Sequence, residues 1–407
     1  MDKQWVMATI DQLAGFSKGE PGISRLAFSD EDRRAGDYIQ GLMREAGLSV
    51  RRDAFGNIIG RLTGTDDSLP AVATGSHLDT VPEGGRYDGI VGVVGGLAAI
   101  RRLAAGGPLR HPLELIVFMA EESSRFGYAT MGSKAMTGAV NPAAWAKAQD
   151  QAGISLATAM GELGFPLDRV REASRAKGEI KAFIELHIEQ GPVLEKTGNN
   201  IGIVEAIAAP TRLKIVVEGN AGHSGTTPMD DRQDALVSAA MIILAVQEAA
   251  LDQHHRGTVG TVGVIKNHPN AMNVIPGRVE MGVDIRGVDH ESIIETIQAV
   301  KDAVSTIADG QETPVAIDVM ASDKPVPLNV DIIETIEKAC RKLGFSYKPM
   351  NSGAGHDAMN IAAIAPAGMV FIPCRGGISH NPAEHAEADD IMKGVEVLTA
   401  ALGELAE

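Results

Sequence analysis

Apolar residues along this chain recur with two different periods, and the alternation between them sets out an architecture. Four short apolar runs, AVAT (71–74), LELIVFM (113–119), AFIELH (182–187) and GMVFIP (368–373), are bounded by glycine, proline or polar residues and read as buried strands. Segments of helical period lie between and beside them. Residues 32–48 place Ala35, Ile39, Leu42, Met43 and Ala46 on one face at i, i+4, i+7, i+8 and i+11, with Gly47 near the end. VGVVGGLAAIRRLAA (91–105) reads as a second helix despite its glycines, and DAFGNIIGRL (53–62) as a strand interrupted by glycine. Strands alternating with helices predict an α/β domain with a mostly parallel sheet covered on both faces.

From about 212 to 329 the pattern changes. LKIVVEG, a helix over 234–250, two strands in TVGTVGVI and RVEMGVDIRG, a helix over 290–307 and the strand VAIDVM follow one another. That β-α-β-β-α-β order suggests a small antiparallel sheet with two helices on one face, inserted into the first domain. The expected domains are therefore 1–211 with 330–407, and 212–329. The helical IIETIEKACRKLGF returns the chain to the first domain, and no internal repeat stands out.

Composition narrows the partners. At 407 residues the chain exceeds the usual size of a single core, in keeping with two domains. A formal charge of −16 argues against nucleic acid or an anionic membrane surface as partner, since either needs a basic face. Only Cys340 and Cys374 occur, far apart, which fits a reducing, cytoplasmic compartment and excludes a disulfide framework or a Cys-based zinc site. The first residues, MDKQWVMATIDQLAGF, meet an acid at once, so no secretory signal is expected. The longest apolar tract, 235–246, contains Ser238 and stops at Gln247, too short to span a bilayer.

Candidate chemistry concentrates at strand ends, where an open α/β sheet places its sites. GSHLDTVPEGGRYDGIVG (75–92) puts His77 and Asp79 on one side of extended chain, and its glycines at 84, 85 and 89 let the backbone fold back so that Asp88 approaches His77. LELIVFMAEE ends in Glu121 and Glu122, AFIELH ends in His187, and GMVFIP is followed by a glycine turn and ISHNPAEH with His380. A lone histidine in such a place is more often a satisfied structural residue; recurrence over four strands favours a metal site. His77, Asp88, Glu122, His187 and His380 are too many ligands for one open site and suit two ions sharing Asp88. Two ions roughly 3.5–4 Å apart can share a water, lower its pKa and polarise a carbonyl. Glu121, adjacent to a ligand and needing no metal of its own, is then free to act as general base; the alternative is an ion pair with Arg125. Asp79 fits a supporting role, accepting the far N–H of His77. Such ligands suit zinc, manganese, cobalt or nickel. The histidines at 111, 254, 255, 268, 290 and 385 lie beside turn or polar residues, and solvated surface is expected for each.

GSHLDTVPEGGRYDG, MAEESSRFG, ELHIEQGPVLE, AGHSGTTPMDDRQDA, NVIPGRVEM and GISHNPAEH together resemble the hydantoinase/carbamoylase branch of the dinuclear metallo-aminoacylase and carboxypeptidase superfamily, from about Arg25 to the C-terminus. The branch comprises N-carbamoyl-L-amino-acid hydrolases, allantoate and ureidoglycolate amidohydrolases and β-ureidopropionases. The resemblance implies a metallo-exopeptidase-like catalytic domain with an inserted ferredoxin-like α+β domain serving as lid and dimerisation surface. It implies one divalent ion on His77, Asp88 and His187, a second on Asp88, Glu122 and His380, and Glu121 as the base. His223, in GNAGHSGTTP, would help stabilise an oxyanion, often across a homodimer; its alternative is a loop histidine bonded to Asp230 or Asp231. Asn273 and Arg286 resemble the pair that grips a substrate carboxylate, a task suited to a guanidinium fork, although Arg286 has Asp284 as a same-face neighbour to pair with. Gln190 and His356 are further polar contacts, or else packing and turn residues.

Two features set the branch apart from the superfamily's peptidases: Asp88 follows His77 by only eleven residues, and the third-strand ligand is His187 where peptidases look to carry a carboxylate. The expected activity is metal-dependent hydrolysis of a linear C–N bond in a small ureido or amide substrate bearing a carboxylate. An N-carbamoyl-L-amino acid leads, with allantoate, ureidoglycolate and N-acyl amino-acid conjugates as alternatives. Ser123 and Ser124 in ESSRFG depart from either subgroup's pattern. A binding protein that had kept this fold and lost catalysis would lack a ligand or the base, and all six positions are present.

Overall fold

The structure, a computed structural model, describes residues 3–407. The chain divides into two compact units, Met1–Glu205 with Leu328–Glu407, and Ala206–Pro327. The smaller unit begins before the expected 212 and ends before the expected 329.

The larger unit opens with β1 (Ser49–Arg52), β2 (Ile58–Leu62), β3 (Ala71–His77), β4 (Leu113–Phe118), β5 (Ile180–Ile188) and β6 (Ile201–Ile207). β3 and β4 are buried at every position. The run 53–62 is a strand only from Ile58, because Asp53 Oδ1 accepts the backbone N–H groups of Phe55, Gly56 and Asn57 and closes a turn there. The helix expected over 32–48 spans Asp30–Glu45, since Ser29 caps it by accepting the Asp32 N–H.

The smaller unit contains β7 (Ala209–Glu218), β8 (Gly222–His223), β9 (Val259–His268), β10 (Val274–Ile275), β11 (Arg278–Gly287), β12 (Val315–Ser322) and β13 (Val326–Pro327). Its sheet has the order β12-β7-β11-β9 with every pair antiparallel, and β8 and β10 form a separate two-stranded ribbon. Asp234 and Asp289 cap the helices Ala235–Asp252 and His290–Gln311. Both helices pack on one core with Leu213, Ile215, Val279 and Met281. The apolar tract expected to end at Val246 continues as helix to Asp252, long and apolar enough by length and composition alone to cross a membrane. One side of that helix, Ala235, Ala239, Ile242 and Val246, faces the sheet.

The chain returns through β14 (Tyr347–Ser352) and β15 (Ala367–Ile372) to complete the large sheet, in which β1-β2-β4-β3-β5-β15-β6 are neighbours and β14 also pairs with β6. The sheet is mixed, where a mostly parallel one was expected. β4, β3, β5 and β15 run parallel, while β1, β2 and β6 are antiparallel to their neighbours. Only strands joined through long crossovers can run parallel, and β1 turns directly into β2. On one face Ile184, Leu186 and Ile188 of β5 pack with the helices Ile90–Ala105 and Ala388–Ala406. His187 and Glu185 alternate with them and project to the other side.

Candidate metal centre

Four adjacent parallel strands deliver side chains to one edge of the large sheet. β3 ends on His77 and β5 carries His187 next to its last residue; their rings lie 6.0 Å apart, inclined by 30°. The segment after β4 supplies Glu121 and Glu122, turned by Ala120 at φ 53, and that after β15 supplies His380 at φ 55. Asp88 closes the group. It precedes Gly89 at φ 69, where a Cβ would lie 2.6 Å from the His77 ring, so only glycine lets the turn press Asp88 against both histidines.

His77 Nε2 stands 3.4 Å and His187 Nε2 3.1 Å from Asp88 Oδ1. His380 Nε2 is 3.2 Å from Asp88 Oδ2 and 3.2 Å from Glu122 Oε1. Two triads result, His77, Asp88, His187 and Asp88, Glu122, His380, each with its donor atoms within 4.8 Å of one another and with Asp88 in common. Glu121 belongs to neither, and its Oε2 lies 3.8 Å from His77 Nε2.

Proton positions decide whether these donors suit a cation. His77 Nδ1 is 2.9 Å from the Asp79 carbonyl oxygen, and His187 Nδ1 is 2.8 Å from that of Ile188. A carbonyl only accepts, so each ring carries its proton on Nδ1 and turns the Nε2 lone pair toward the Asp88 carboxylate. Lone pair against carboxylate oxygen is repulsive unless positive charge lies between. A divalent cation provides that charge, and in its absence an extra proton must. Burial opposes charge on His77, yet Glu121, Asp88 and Asp79 hold its pKa well above the usual value. Burial likewise pushes Asp88 up, and His187, His380 and His77 draw it well below the carboxylate range. Asp88 and Glu122 hold His380 at about 10. Glu121 moves the other way from Asp88: burial raises it well above the usual range, against the pull of His77 and with help from Glu122, Asp357 and Asp79.

A third grouping of Glu185, His187 and His356 has comparable reach. Its members already have protein partners: Ser76 Oγ and the Ala358 N–H donate to the two oxygens of Glu185 at 2.8 and 3.0 Å, and His356 Nε2 is 2.8 Å from Ser352 Oγ.

Several expected roles are corrected by these contacts. Asp79 supports His77 through its backbone carbonyl; its carboxylate, 3.8 Å from His77 Nδ1, accepts the N–H groups of Glu121 and Glu122 at 3.1 and 3.0 Å. Arg125 pairs with Asp150 at 3.1 Å, not with Glu121. His356 is buried against the His187 ring, centroids 4.6 Å apart, a packing position and not an open substrate contact. Gln190 joins the centre, its Nε2 donating to Asp88 Oδ2 at 2.7 Å. His111, expected on the surface, is buried with Nδ1 on the Pro70 carbonyl. Sequence reasoning missed Glu384, which accepts the backbone N–H of Asp88 at 3.1 Å.

In the smaller unit, His223 pairs with Val274 across the β8–β10 ribbon, and the Ser224 N–H donates to the Asn273 carbonyl at 3.1 Å, so His223 and Asn273 are neighbours. The Gly225 N–H donates to His223 Nδ1 at 3.1 Å, which leaves the neutral ring with its proton on Nε2. Arg286 takes the pairing left open for it, donating from Nε to Asp284 at 2.6 Å. Asn273 and Arg286 are not together. Arg286 lies eight residues along extended β11 from Arg278, on the order of 27 Å, and Asn273 sits beyond the Arg278 end.

The model of Peptidase family M20/M25/M40 matches residues 73–404. The chain belongs to this family. The family is metal-dependent, in keeping with the two triads. The chain is 40% identical to ureidoglycolate hydrolase of Oryza sativa subsp. japonica, over 100% of its own length and 85% of the relative's. It is 39% identical to an N-carbamoyl-L-amino-acid amidohydrolase of a Pseudomonas species, over 98% and 97%. The solved structure of an amidase of the hydantoinase/carbamoylase family from Burkholderia multivorans matches with a TM-score of 0.90 at 35% identity, over 100% and 98% of the two chains.

Proposed function

We propose that the chain is a metal-dependent amidohydrolase cleaving the linear C–N bond of an N-carbamoyl-L-amino acid or a related ureido acid such as ureidoglycolate or allantoate. The observation that carries this reading is Glu121, a buried carboxyl set beside two triads with a common carboxylate and belonging to neither. His77, Asp88 and His187 would hold one divalent ion, and Asp88, Glu122 and His380 a second; zinc, manganese, cobalt and nickel all suit these donors. Bound ions would supply Lewis acidity toward the substrate carbonyl and toward water.

The chain's own residues do the rest. Glu121 takes a proton from the attacking water, whose oxygen adds to the ureido carbonyl carbon, and returns it to the departing nitrogen as the C–N bond breaks. Its Oε2, 3.8 Å from His77 Nε2 and outside both triads, is free to accept that proton. Gln190, whose Nε2 donates to Asp88 Oδ2 at 2.7 Å, stands beside the triads as a further polar contact for the substrate.

We assign the smaller unit the role of ferredoxin-like lid and dimerisation domain. His223, with its proton on Nε2, would donate to the developing oxyanion. A substrate carboxylate held by both Asn273 and Arg286 requires two copies, because the two lie at opposite ends of β11. A homodimer is supported by the exposed apolar face of Val237, Met241, Leu244 and Leu251, and by Val259 and Val264 on the edge strand β9. The free, buried Cys340 and Cys374 fit the reducing cytoplasm to which we assign the protein.

Ammonia release from metal-loaded protein tests the reading. N-carbamoyl-L-amino acids, ureidoglycolate or allantoate should yield ammonia while dipeptides and N-acyl amino acids stay intact. Turnover confined to the latter group refutes it.

A further inference from the structure

The common carboxylate, Asp88, is held from behind by a group that the steps above do not use. Glu384 is 4% exposed, and its Oε1 accepts the backbone N–H groups of Tyr87 at 2.9 Å and Asp88 at 3.1 Å. Its Oε2 accepts the Ser379 hydroxyl at 2.8 Å. Ser379 Oγ also lies 3.2 Å from Asp88 Oδ2 and 3.3 Å from Gln190 Nε2. A hydroxyl has one proton to give, and the shorter contact directs it to Glu384. Ser379 therefore presents its lone pairs to the Gln190 amide, whose other proton goes to Asp88 Oδ2 at 2.7 Å. Glu384 thus grips Asp88 twice, directly at the backbone and, through Ser379 and Gln190, at the carboxylate.

The approach is close enough that a Cβ on Gly85 would collide with the Glu384 carboxylate. A second buried acid beside Asp88 is electrostatically unfavourable, and a neutral side chain would fill the space at lower free energy. Its three donors are what such a group needs in order to hold a backbone segment stiffly.

We propose that Glu384 is a positioning residue for the metal centre: by fixing the one carboxylate common to both triads, it sets the affinity for both ions together. This rests on the reading that the centre holds two divalent ions.

The test uses the full chain stripped with chelator and titrated with Co²⁺ alone by calorimetry, for the wild type, E384A, E384Q and S379A. The wild type should take up two equivalents. E384A should bind both about 10–100-fold more weakly, the usual range for losing an outer partner of a metal ligand. E384Q should lose less, because its amide oxygen still accepts the two backbone N–H groups. E384A binding both equivalents with wild-type affinity overturns the proposal. So does a loss confined to one equivalent, which would assign Glu384 to the His380 segment alone. Should E384A fail to fold, E384Q and S379A decide, and wild-type affinity in both overturns it. A wild type that takes up no Co²⁺ overturns the two-ion reading instead, so the two failures are distinguishable.

Discussion

Replacing Glu121 by Gln should remove one proton acceptor and change little else. The side chain keeps its length, and the backbone N–H groups of Glu121 and Glu122 stay on Asp79 at 3.1 and 3.0 Å, since no side-chain atom of Glu121 takes part. Neither triad includes Glu121, so metal content should be unchanged. Loss of a general base costs on the order of 10²–10⁴ in kcat, which is about 3–5 kcal/mol on the barrier. Stability should move the other way. Burial, against His77 and with Glu122, Asp357 and Asp79, raises the Glu121 pKa well above its ordinary value. Its contribution to folding is therefore full below the ordinary carboxylate range and is lost as pH rises through the raised value. In chelator-stripped protein a neutral amide escapes that loss, so stripped E121Q should melt no lower than the stripped wild type at about pH 8, with the difference fading toward about pH 4. Elemental analysis, ammonia release and calorimetric melting measure the three quantities. A kcat within tenfold of the wild type at equal metal content refutes the assignment, and joint loss of metal and activity would make Glu121 a ligand.

Other perturbations probe the remaining parts. H223A should lose on the order of 10²–10³ in kcat with its metal content intact. Mixing it with E121Q under subunit exchange should restore activity if His223 acts across a dimer, and no recovery rejects that arrangement. Gly89→Ala places a Cβ 2.6 Å from the His77 ring at φ 69 and should destabilise by more than about 1 kcal/mol; an unchanged urea midpoint would contradict the close approach. In chelator-stripped protein, His380, held at about 10 by Asp88 and Glu122, contributes stability below the ordinary histidine value that is lost as pH rises through about 10. Asp88, drawn well below its ordinary value by the three imidazoles despite burial, contributes stability that is lost as pH falls. Stripped protein should therefore melt lower at about pH 10 than at about pH 7, and a higher melting temperature at the alkaline end would contradict these directions.

The strand ends were readable because burial on both faces leaves a continuous apolar run, and the polar residue that stops it is where the site begins. β3, β4 and β5 are such runs, and His77, Glu121 and His187 stand where they break. The direction of a neighbouring strand leaves no such mark, since an apolar run looks alike beside a parallel or an antiparallel partner. That is why the antiparallel β1, β2 and β6 were not anticipated. Asp79 carries two acceptors, a carbonyl and a carboxylate, and nothing in GSHLDT says which one His77 takes. The separation of Asn273 from Arg286 was legible in principle: RVEMGVDIR reads as extended chain, and extended chain has a fixed rise. Glu384 was out of reach, because its partner Asp88 lies 296 residues away. His111 was misread for the same reason, its polar atoms being satisfied by Pro70 and Lys181 far along the chain.

Strand order explains why the donors come from these places. Neighbouring strands lie about 4.8 Å apart, so β3 and β5 can face His77 and His187 at each other from within the strands. Glu122 and His380 derive from β4 and β15, three strand positions apart and so on the order of 14 Å, too far for side chains held in the sheet. Each is carried beyond its strand, four residues past Phe118 and eight past Ile372, to meet at 3.2 Å. A meeting made over irregular chain needs fixing from outside the sheet. The Asp79 carboxylate supplies this on the Glu121–Glu122 side, and Glu384 with Ser379 supplies it on the His380 side. The centre is thus half sheet and half loop, and one residue must join the halves. Asp88 does so with its two oxygens, Oδ1 against the sheet histidines and Oδ2 against the loop histidine, which spaces the two triads by the width of one carboxyl group.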